Sequence, residues 1–395
     1  MYREFKIITL ITVISFFLLV GFAQAGQWVD VNGQKTKNGL ISGRKGGETN
    51  IVVSDSGKIF AAYQDKKDQV FVKEFIDNNW SFLPSGSFAD YVARNGDKAS
   101  LAVDGENVYI AYKDLDAKKR ARVKKWDGVM WSDLSDAGHL DGYVSDLGGF
   151  EPVLCLDKTG DNLYAAFRDE VSGERIKVMK WSESFGWNNV SDPNNSDGLI
   201  SDSFASEVDV KASKSNQEIF FAYEDLANRN RIRVKKWDGS NWSDLSDGSH
   251  PEGYASDIAG FSPSIDTDGS GNLYLAYTGK NNKNTYIHKW DGNHWEDVGG
   301  GIAVRGRTIE STIIIDERGY LYLAYSQKDK NKWHVRAKVW DGLAWLDAKD
   351  GKSKNISKGK GKGDPSLAAF ENKIYMSFTD ARNRNRARIK MLNFE

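Results

Sequence analysis

Cysteine is nearly absent from this chain of 395 residues. The single Cys155 lies in the apolar stretch PVLCLD, and one thiol cannot form an internal disulfide. Side-chain packing therefore has to stabilise the fold. An excess of positive charge is also missing, because 54 basic side chains are balanced by 55 acidic ones. Without a dominant basic surface, nucleic acid is not expected as a partner.

Catalytic motifs are lacking as well. The chain has no Ser-His-Asp spacing, no His/Cys metal cluster and no glycine loop of the kind that binds phosphate. No cofactor is expected for this reason. A fold of almost any class can still host chemistry, so the lack of motifs favours a non-catalytic protein without excluding an enzyme.

Long apolar runs are missing except at the N-terminus, where residues 7–22 form one of sixteen residues. It follows the charged start MYREFK and precedes Ala23-Gln24-Ala25, a small-x-small cleavage pattern. The run is shorter than the roughly 18–20 residues that favour a spanning helix. We predict a signal peptide over residues 1–25, export to the periplasm or beyond, and no membrane span after cleavage. A retained N-terminal anchor is the alternative.

What the chain does have is a repeat with a period near fifty residues. An apolar pair followed by an aromatic residue, as in IFAAY or LYLAY, ends at Tyr63, Tyr112, Phe167, Tyr223, Tyr277, Tyr325 and Phe378. A tryptophan that opens a polar–apolar alternation, as in WVDV or WSDL, falls at Trp28, Trp80, Trp131, Trp187, Trp242, Trp295 and Trp345. Seven copies of each marker indicate seven structural units.

Each unit reads as four strands, a to d, because period-2 alternation is interrupted by turns rich in Asp and Gly. The recurring WDGxxW segment predicts a tight hairpin between strands c and d. We therefore predict an all-β, seven-bladed β-propeller of four-stranded antiparallel blades. The predicted blades cover residues 49–84, 99–136, 151–192, 207–247, 262–300 and 311–349, and blade 7 combines strands a to c at 364–395 with strand d at 26–34. The N-terminal strand would thus join the C-terminal blade and close the ring.

The repeats DxxGxxY, AYxD and KWDGxxW resemble those of secreted bacterial seven-bladed propellers, including lectin-like ones, over residues 26–395. The architecture is also similar to that of sialidases. The Asp/Gly turn here lies between strands a and b, however, and no matching Trp follows it. The resemblance therefore implies the propeller fold and carries over no catalytic residue.

Four of the loops between strand d and the next strand a share a motif that begins at Gly39, Gly142, Gly198 and Gly253, reading GLIS, GYVS, GLIS and GYAS. Two of these loops belong to the nearly identical stretches WSDLSDAGHLDGYVSD and WSDLSDGSHPEGYASD. Imidazole, phenol and carboxylate groups suit a polyol such as a sugar. The candidate ligand-binding residues are His139, Tyr143, Asp146, Asp202, His250, Tyr254 and Asp257. The alternative is that these residues only stabilise the loops and that blade duplication explains their identity.

Aspartate closes strand b in five blades, at Asp65, Asp114, Asp169, Asp225 and Asp380. These residues could cap their own hairpins or pair with a nearby Arg. As a ring of channel-face carboxylates, they would instead attract cations. The turn DTDGSGN, with Asp266 and Asp268, resembles part of a calcium loop but lacks the distal Glu, so calcium is a secondary possibility.

These observations favour an exported, non-catalytic binding protein that recognises carbohydrate or cell-surface material through loops on one face of the propeller. Equivalent loops in several blades would provide several weak sites whose strength comes from avidity. The alternatives are a protein–protein interaction scaffold and, less favoured, a hydrolase or lyase that uses channel carboxylates.

Overall fold

The computed structural model describes residues 27–32, 39–43, 45–83, 90–194, 196–359 and 363–393. These residues form 29 β-strands and three 3-10 helices of three residues each. None of the described helices is long and apolar enough to cross a membrane. The predicted signal peptide lies outside the described residues.

The first three blades occupy the N-terminal half of the chain. Blade 1 contains β2 (Gly46–Val53), β3 (Ile59–Asp65), β4 (Val70–Ile76) and β5 (Asn79–Phe82). Blade 2 contains β6 (Gly96–Asp104), β7 (Asn107–Asp114), β8 (Arg120–Trp126) and β9 (Trp131–Asp133). Blade 3 contains β10 (Gly149–Leu156), β11 (Leu163–Asp169), β12 (Arg175–Ser182) and β13 (Gly186–Asn189).

Blades 4 to 6 follow the same order. Blade 4 contains β14 (Ala205–Ala212), β15 (Ile219–Asp225), β16 (Arg231–Trp237) and β17 (Trp242–Asp244). Blade 5 contains β18 (Gly260–Thr267), β19 (Leu273–Gly279), β20 (Thr285–Trp290) and β21 (Trp295–Val304). Blade 6 contains β22 (Thr308–Ile315), β23 (Leu321–Asp329), β24 (Lys332–Trp340) and β25 (Trp345–Asp347), with β26 (Ser357–Gly359) as an extra strand paired to β24.

Blade 7 draws its strands from both ends of the described chain. It contains β27 (Ser366–Phe370), β28 (Lys373–Asp380) and β29 (Arg386–Asn393), and β1 (Gln27–Asp30) pairs antiparallel with β29. The helices lie in loops, at Leu140–Gly142, Pro251–Gly253 and Ala381–Asn383. The seven antiparallel sheets confirm the predicted all-β class and the seven-bladed propeller.

The hairpins between strands c and d show how local sequence builds a blade. In WDGVMW, Gly128 has a φ of 95°, which a side chain would oppose, and the Asp127 carboxylate accepts from the backbone N–H groups of Val129 and Met130. Trp126 and Trp131 then meet across the hairpin with ring centroids 5.8 Å apart. The same Gly conformation recurs at Gly239, Gly292 and Gly342.

The hydrophobic core lies between neighbouring blades. In the interface of blades 1 and 2, for example, Phe60 and Val72 of blade 1 pack with Ile110 and Trp131 of blade 2. Each fully buried side chain of this kind contributes about 1.5–3 kcal/mol. The strand-d tryptophans also link blades, because in six blades the indole N–H donates to a carbonyl of the preceding blade. The donors are Trp28, Trp80, Trp131, Trp187, Trp242 and Trp295.

Strand a departs from regular alternation. In blades 1 to 6 its pairing with strand b shifts by a β-bulge, and the bulge residues have positive φ values between 47° and 55°: Glu48, Lys98, Glu151, Glu207, Ser262 and Glu310. Strand a accordingly begins two or three residues before the predicted blade boundaries in these blades. The bulge breaks the period-2 pattern on which those boundaries depended.

Candidate functional site

The two predicted tyrosines are held by the framework. Tyr143 and Tyr254 each donate their hydroxyl to the aspartate that ends the neighbouring strand b, Asp114 and Asp225, at 2.9 Å. The Arg120 guanidinium lies 3.6 Å from the Tyr143 ring centroid. Tyr254 is only 5% exposed, so its ring offers no open face to a sugar. Both side chains fasten their loop to strands b and c.

The two predicted histidines also make framework contacts. His139 and His250 place Nδ1 at 3.0 Å from Oδ1 of Asp136 and Asp247. The second oxygen of Asp247 accepts the backbone N–H of Trp295 in the next blade at 2.7 Å. Although burial opposes it, this bond and those from His250 and Ser249 lower the pKa of Asp247 to about 2. The Asp–His pairs thus tie one blade to the next.

The three predicted loop aspartates are exposed to solvent, but Asp202 is engaged in an ion pair. Asp146 and Asp257 are exposed, and Asp257 lies 3.9 Å from Nε2 of His250. Asp202 pairs with Nη1 of Arg233 at 2.5 Å. The predicted ligand residues therefore fall into separate loops. His139, Tyr143 and Asp146 follow blade 2, Asp202 follows blade 3, and His250, Tyr254 and Asp257 follow blade 4.

The Gly-x-x-Ser motif has a structural explanation in all four loops. A Cβ at Gly39 or Gly142 would lie 2.3 Å from a strand-c carbonyl oxygen, and one at Gly198 or Gly253 would lie 2.7 Å from the equivalent oxygen. The motif serine three residues later accepts a strand-c backbone N–H at 2.7–2.9 Å: Ser42, Ser145, Ser201 and Ser256. The loop therefore docks against strand c, and only glycine permits the close approach.

The five strand-b aspartates bond within or beside their own hairpins. Asp65 and Asp169 accept backbone N–H groups of the turn, and Asp225 accepts from Asn228. Asp114 and Asp380 pair with Arg122 at 3.2 Å and Arg388 at 2.8 Å. None of the five is among the described residues that line the central channel.

The turn that resembles a calcium loop is satisfied internally. Asp268 accepts from Ser270 and Asn272 of the same turn, while Asp266 pairs with Lys214 at 2.8 Å. In the described part of the chain, no group of three or more His, Cys, Asp or Glu side chains is arranged to hold a metal ion.

The single cysteine, Cys155, lies in strand a of blade 3. Its buried surroundings raise the pKa of the thiol to about 12, so the thiol stays protonated.

The central channel is instead lined by strand a of every blade and encloses a cavity of about 560 Å³. The bulge residues line the channel near the start of strand a, and we call this region the channel mouth. Asp364 of blade 7, whose φ is also positive, completes the set. Five of these seven residues are carboxylates: Glu48, Glu151, Glu207, Glu310 and Asp364. Burial and a hydrogen bond to Asp97 raise the pKa of Glu48 to about 7. Burial also raises the pKa of Glu207, and the nearby carboxylates of Glu224 and Glu151 add to the effect. Sequence reasoning did not identify this acidic mouth, although acidic residues recur in it at blade spacing.

A groove of about 330 Å³ lies on the opposite face, between the c–d hairpins of blades 3 and 4. Its aromatic side chains are Phe185 and Trp237, of which Phe185 is 82% exposed and Trp237 is buried. Its polar side chains are Lys180, Ser182, Asn188, Asn189, Ser191 and Ser240. An open aromatic ring surrounded by amide, hydroxyl and ammonium groups can bind a sugar-sized polar ligand.

The exposed ring results from a change in the hairpin. Blades 2, 4, 5 and 6 use WDGxxW, with four residues between the tryptophans, whereas blade 3 has five in WSESFGW. Trp181 and Trp187 still pair, at 5.6 Å between centroids, so the extra length is accommodated at the tip. There Gly186 has a φ of 66° and Phe185 projects into solvent. This break in the series was the sequence signal for the groove, and it was not recognised.

No protein-family model and no curated protein matches the chain. Among solved structures, a PL25 ulvan lyase bound to a GlcA(1-4)Rha3S saccharide has a TM-score of 0.56 and 13% identity, covering 90% of this chain and 96% of its own. The polysaccharide lyase Uly1 has a TM-score of 0.52 and 10% identity, covering 94% of this chain and 98% of its own. The Aleuria aurantia lectin, in complex with Fucalpha1-6GlcNAc, has a TM-score of 0.49 and 13% identity, covering 77% and 94%. At these identities the likeness to the two lyases shows the propeller fold alone.

Proposed function

We propose that this chain is an exported, non-catalytic carbohydrate-binding protein and that its saccharide site is the groove between blades 3 and 4. The observation that carries the proposal is the 82% exposed Phe185 ring at the edge of a cavity with polar walls. Exposure of a large aromatic ring has a free-energy cost in water that a bound sugar face would offset.

The composition of the groove supports binding rather than catalysis. Asn189, Ser191 and Ser240 are exposed donors and acceptors for sugar hydroxyl groups. Lys180 is the one ionisable side chain among the described residues that line the groove, so a general acid–base pair is not present there. The volume of about 330 Å³ is within the range of small-ligand sites.

The solved structures add support at the level of substrate class. Two of the neighbours with TM-scores above 0.5 are polysaccharide lyases, one of them bound to a saccharide. A propeller of this shape can therefore accommodate polysaccharide. The face with the GYVS and GYAS loops is less suited to this role, because its tyrosines and histidines bond to the framework.

The test is a glycan array and polysaccharide pull-down with residues 26–395, which retain every described strand. We expect Phe185→Ala to weaken binding about tenfold, as the loss of one stacking contact predicts. Val129→Ala and Leu343→Ala are matched controls, because these side chains are 77% and 74% exposed at other c–d hairpin tips but do not line the groove.

Equal binding by all three variants would refute the groove as the site. Capture of a protein instead of a glycan would favour the scaffold alternative. Release of new reducing ends or unsaturated sugars during incubation would overturn the non-catalytic part of the proposal. Export is tested separately, by fractionating cells that express the full chain.

A further inference from the structure

The groove contains a lysine whose position recurs in neighbouring blades. Lys125, Lys180 and Lys236 each stand immediately before the strand-c tryptophan and face equivalent residues of strand d. Because the three lysines occupy the same position, their different partners can be compared directly.

The lysine of blade 2 is neutralised across the blade interface. Nζ of Lys125 lies 2.7 Å from Oε1 of Glu183, which stands two residues after the strand-c tryptophan of blade 3. The lysine of blade 4 has a partner in its own blade, since Nζ of Lys236 lies 2.6 Å from Oε1 of Glu218.

The lysine of blade 3 faces a different neighbour. In blade 4 the position of Glu183 is taken by Gly239, around which a Cβ would meet no atom within 4 Å. Lys180 and Gly239 both line the groove. Among the described residues no carboxylate lies within 4.0 Å of the Lys180 ammonium, so its charge is directed to an open cavity.

We propose that the groove selects an acidic saccharide, whose carboxylate or sulfate group binds Nζ of Lys180 while the sugar ring packs on Phe185. This inference rests on the proposed function and specifies the ligand class of the same site. An anionic group would take the place that Glu183 occupies beside Lys125, and a charge-assisted hydrogen bond is stronger than a neutral one. Asn189 and Ser240 would remain for the hydroxyl groups of the sugar.

The experiment compares polymers that differ in charge but not in backbone. Binding of residues 26–395 is measured to polygalacturonate and its methyl ester, and to dextran sulfate and dextran. We expect tighter binding to one or both acidic polymers, by about tenfold or more, and a decrease in that preference as salt is raised. The two pairs distinguish a carboxylate from a sulfate ligand.

Two variants test the lysine. Lys180→Met should remove the preference for acidic polymers, and Ser240→Glu should do the same by placing a carboxylate in the groove. Lys289→Met and Asn293→Glu are the matched controls at the equivalent positions of blade 5, and both should bind as the unchanged protein does.

The outcomes separate the two proposals. If Phe185→Ala weakens binding while neutral and acidic polymers bind equally and Lys180→Met has no effect, the groove remains the site and the acidic specificity is wrong. An equal loss in Lys180→Met and Lys289→Met would show general attraction of polyanions to surface lysines, which also refutes the inference. If Phe185→Ala has no effect, the groove itself is refuted.

Discussion

The two faces of the propeller differ in whether their polar and aromatic side chains are already bonded to the framework. On the face of the d–a loops, repeated Tyr, His, Ser and Asp side chains bond to strands b and c or to the next blade. On the face of the c–d hairpins, the hairpin of blade 3 departs from the repeat and exposes Phe185 beside a cavity that Lys180 also lines. In this molecule, repetition marks the framework and departure from it marks the candidate site.

The largest expected effect comes from one hairpin in which Trp187 is 4% exposed and Phe185 is 82% exposed. Trp187→Ala should destabilise the protein by about 3–5 kcal/mol, because it creates a cavity and removes the indole bond to the carbonyl of Leu134. Phe185→Ala should change stability by less than about 0.5 kcal/mol, as a surface substitution does. Urea denaturation measures both. Equal destabilisation would mean that Phe185 is part of the core and would remove the contrast on which the site depends.

A second effect depends on pH and concerns the channel mouth. The folded-state pKa of Glu48 is about 7, above the ordinary value of 4.5. Below pH 4.5 the Glu48 carboxyl group is protonated in both the folded and the unfolded chain, so it adds no pH dependence to stability there. Between pH 4.5 and 7 this group ionises first in the unfolded chain, and the free energy of unfolding therefore falls as pH rises. The loss is complete above pH 7 and is on the order of 2 kcal/mol.

Glu48→Gln should therefore leave stability unchanged at pH 4 and raise it at pH 8, as measured by thermal melting across this range. Glu317→Gln is the control, because Glu317 is exposed and lies outside the channel lining. A pH-independent difference between Glu48→Gln and the unchanged protein would show that the carboxyl group of Glu48 is not held protonated by the channel.

The smallest effect tests the loop face directly. Tyr254→Phe removes the hydroxyl that donates to buried Asp225 and should cost about 1–2 kcal/mol, because it leaves a carboxylate oxygen with fewer partners. Saccharide binding should stay the same if the loop is framework. A loss of binding larger than the loss of stability would return the ligand site to the GYVS and GYAS loops.

The sequence predicted the architecture because each of its two markers is a side chain that every blade needs for packing against its neighbour. The aromatic residue near the end of strand b and the tryptophan at the start of strand d fill the same inter-blade spaces in each unit, as with Tyr112 and Trp131 in one cluster. Their spacing therefore counts the blades. The site was harder to predict, because the residues that a repeat emphasises are those with a structural role, such as Gly142 and Ser145.

The sequence by itself determined the number of blades, the strand order within each blade and the position of the four WDGxxW turns, because all three follow from contacts that are local or that recur in every repeat. Only the tertiary structure decided which polar groups are already bonded and which remain open. Lys125 and Lys180 precede tryptophan in the same way, yet one meets Glu183 and the other faces Gly239. The difference lies in the neighbouring blade, more than fifty residues away along the chain.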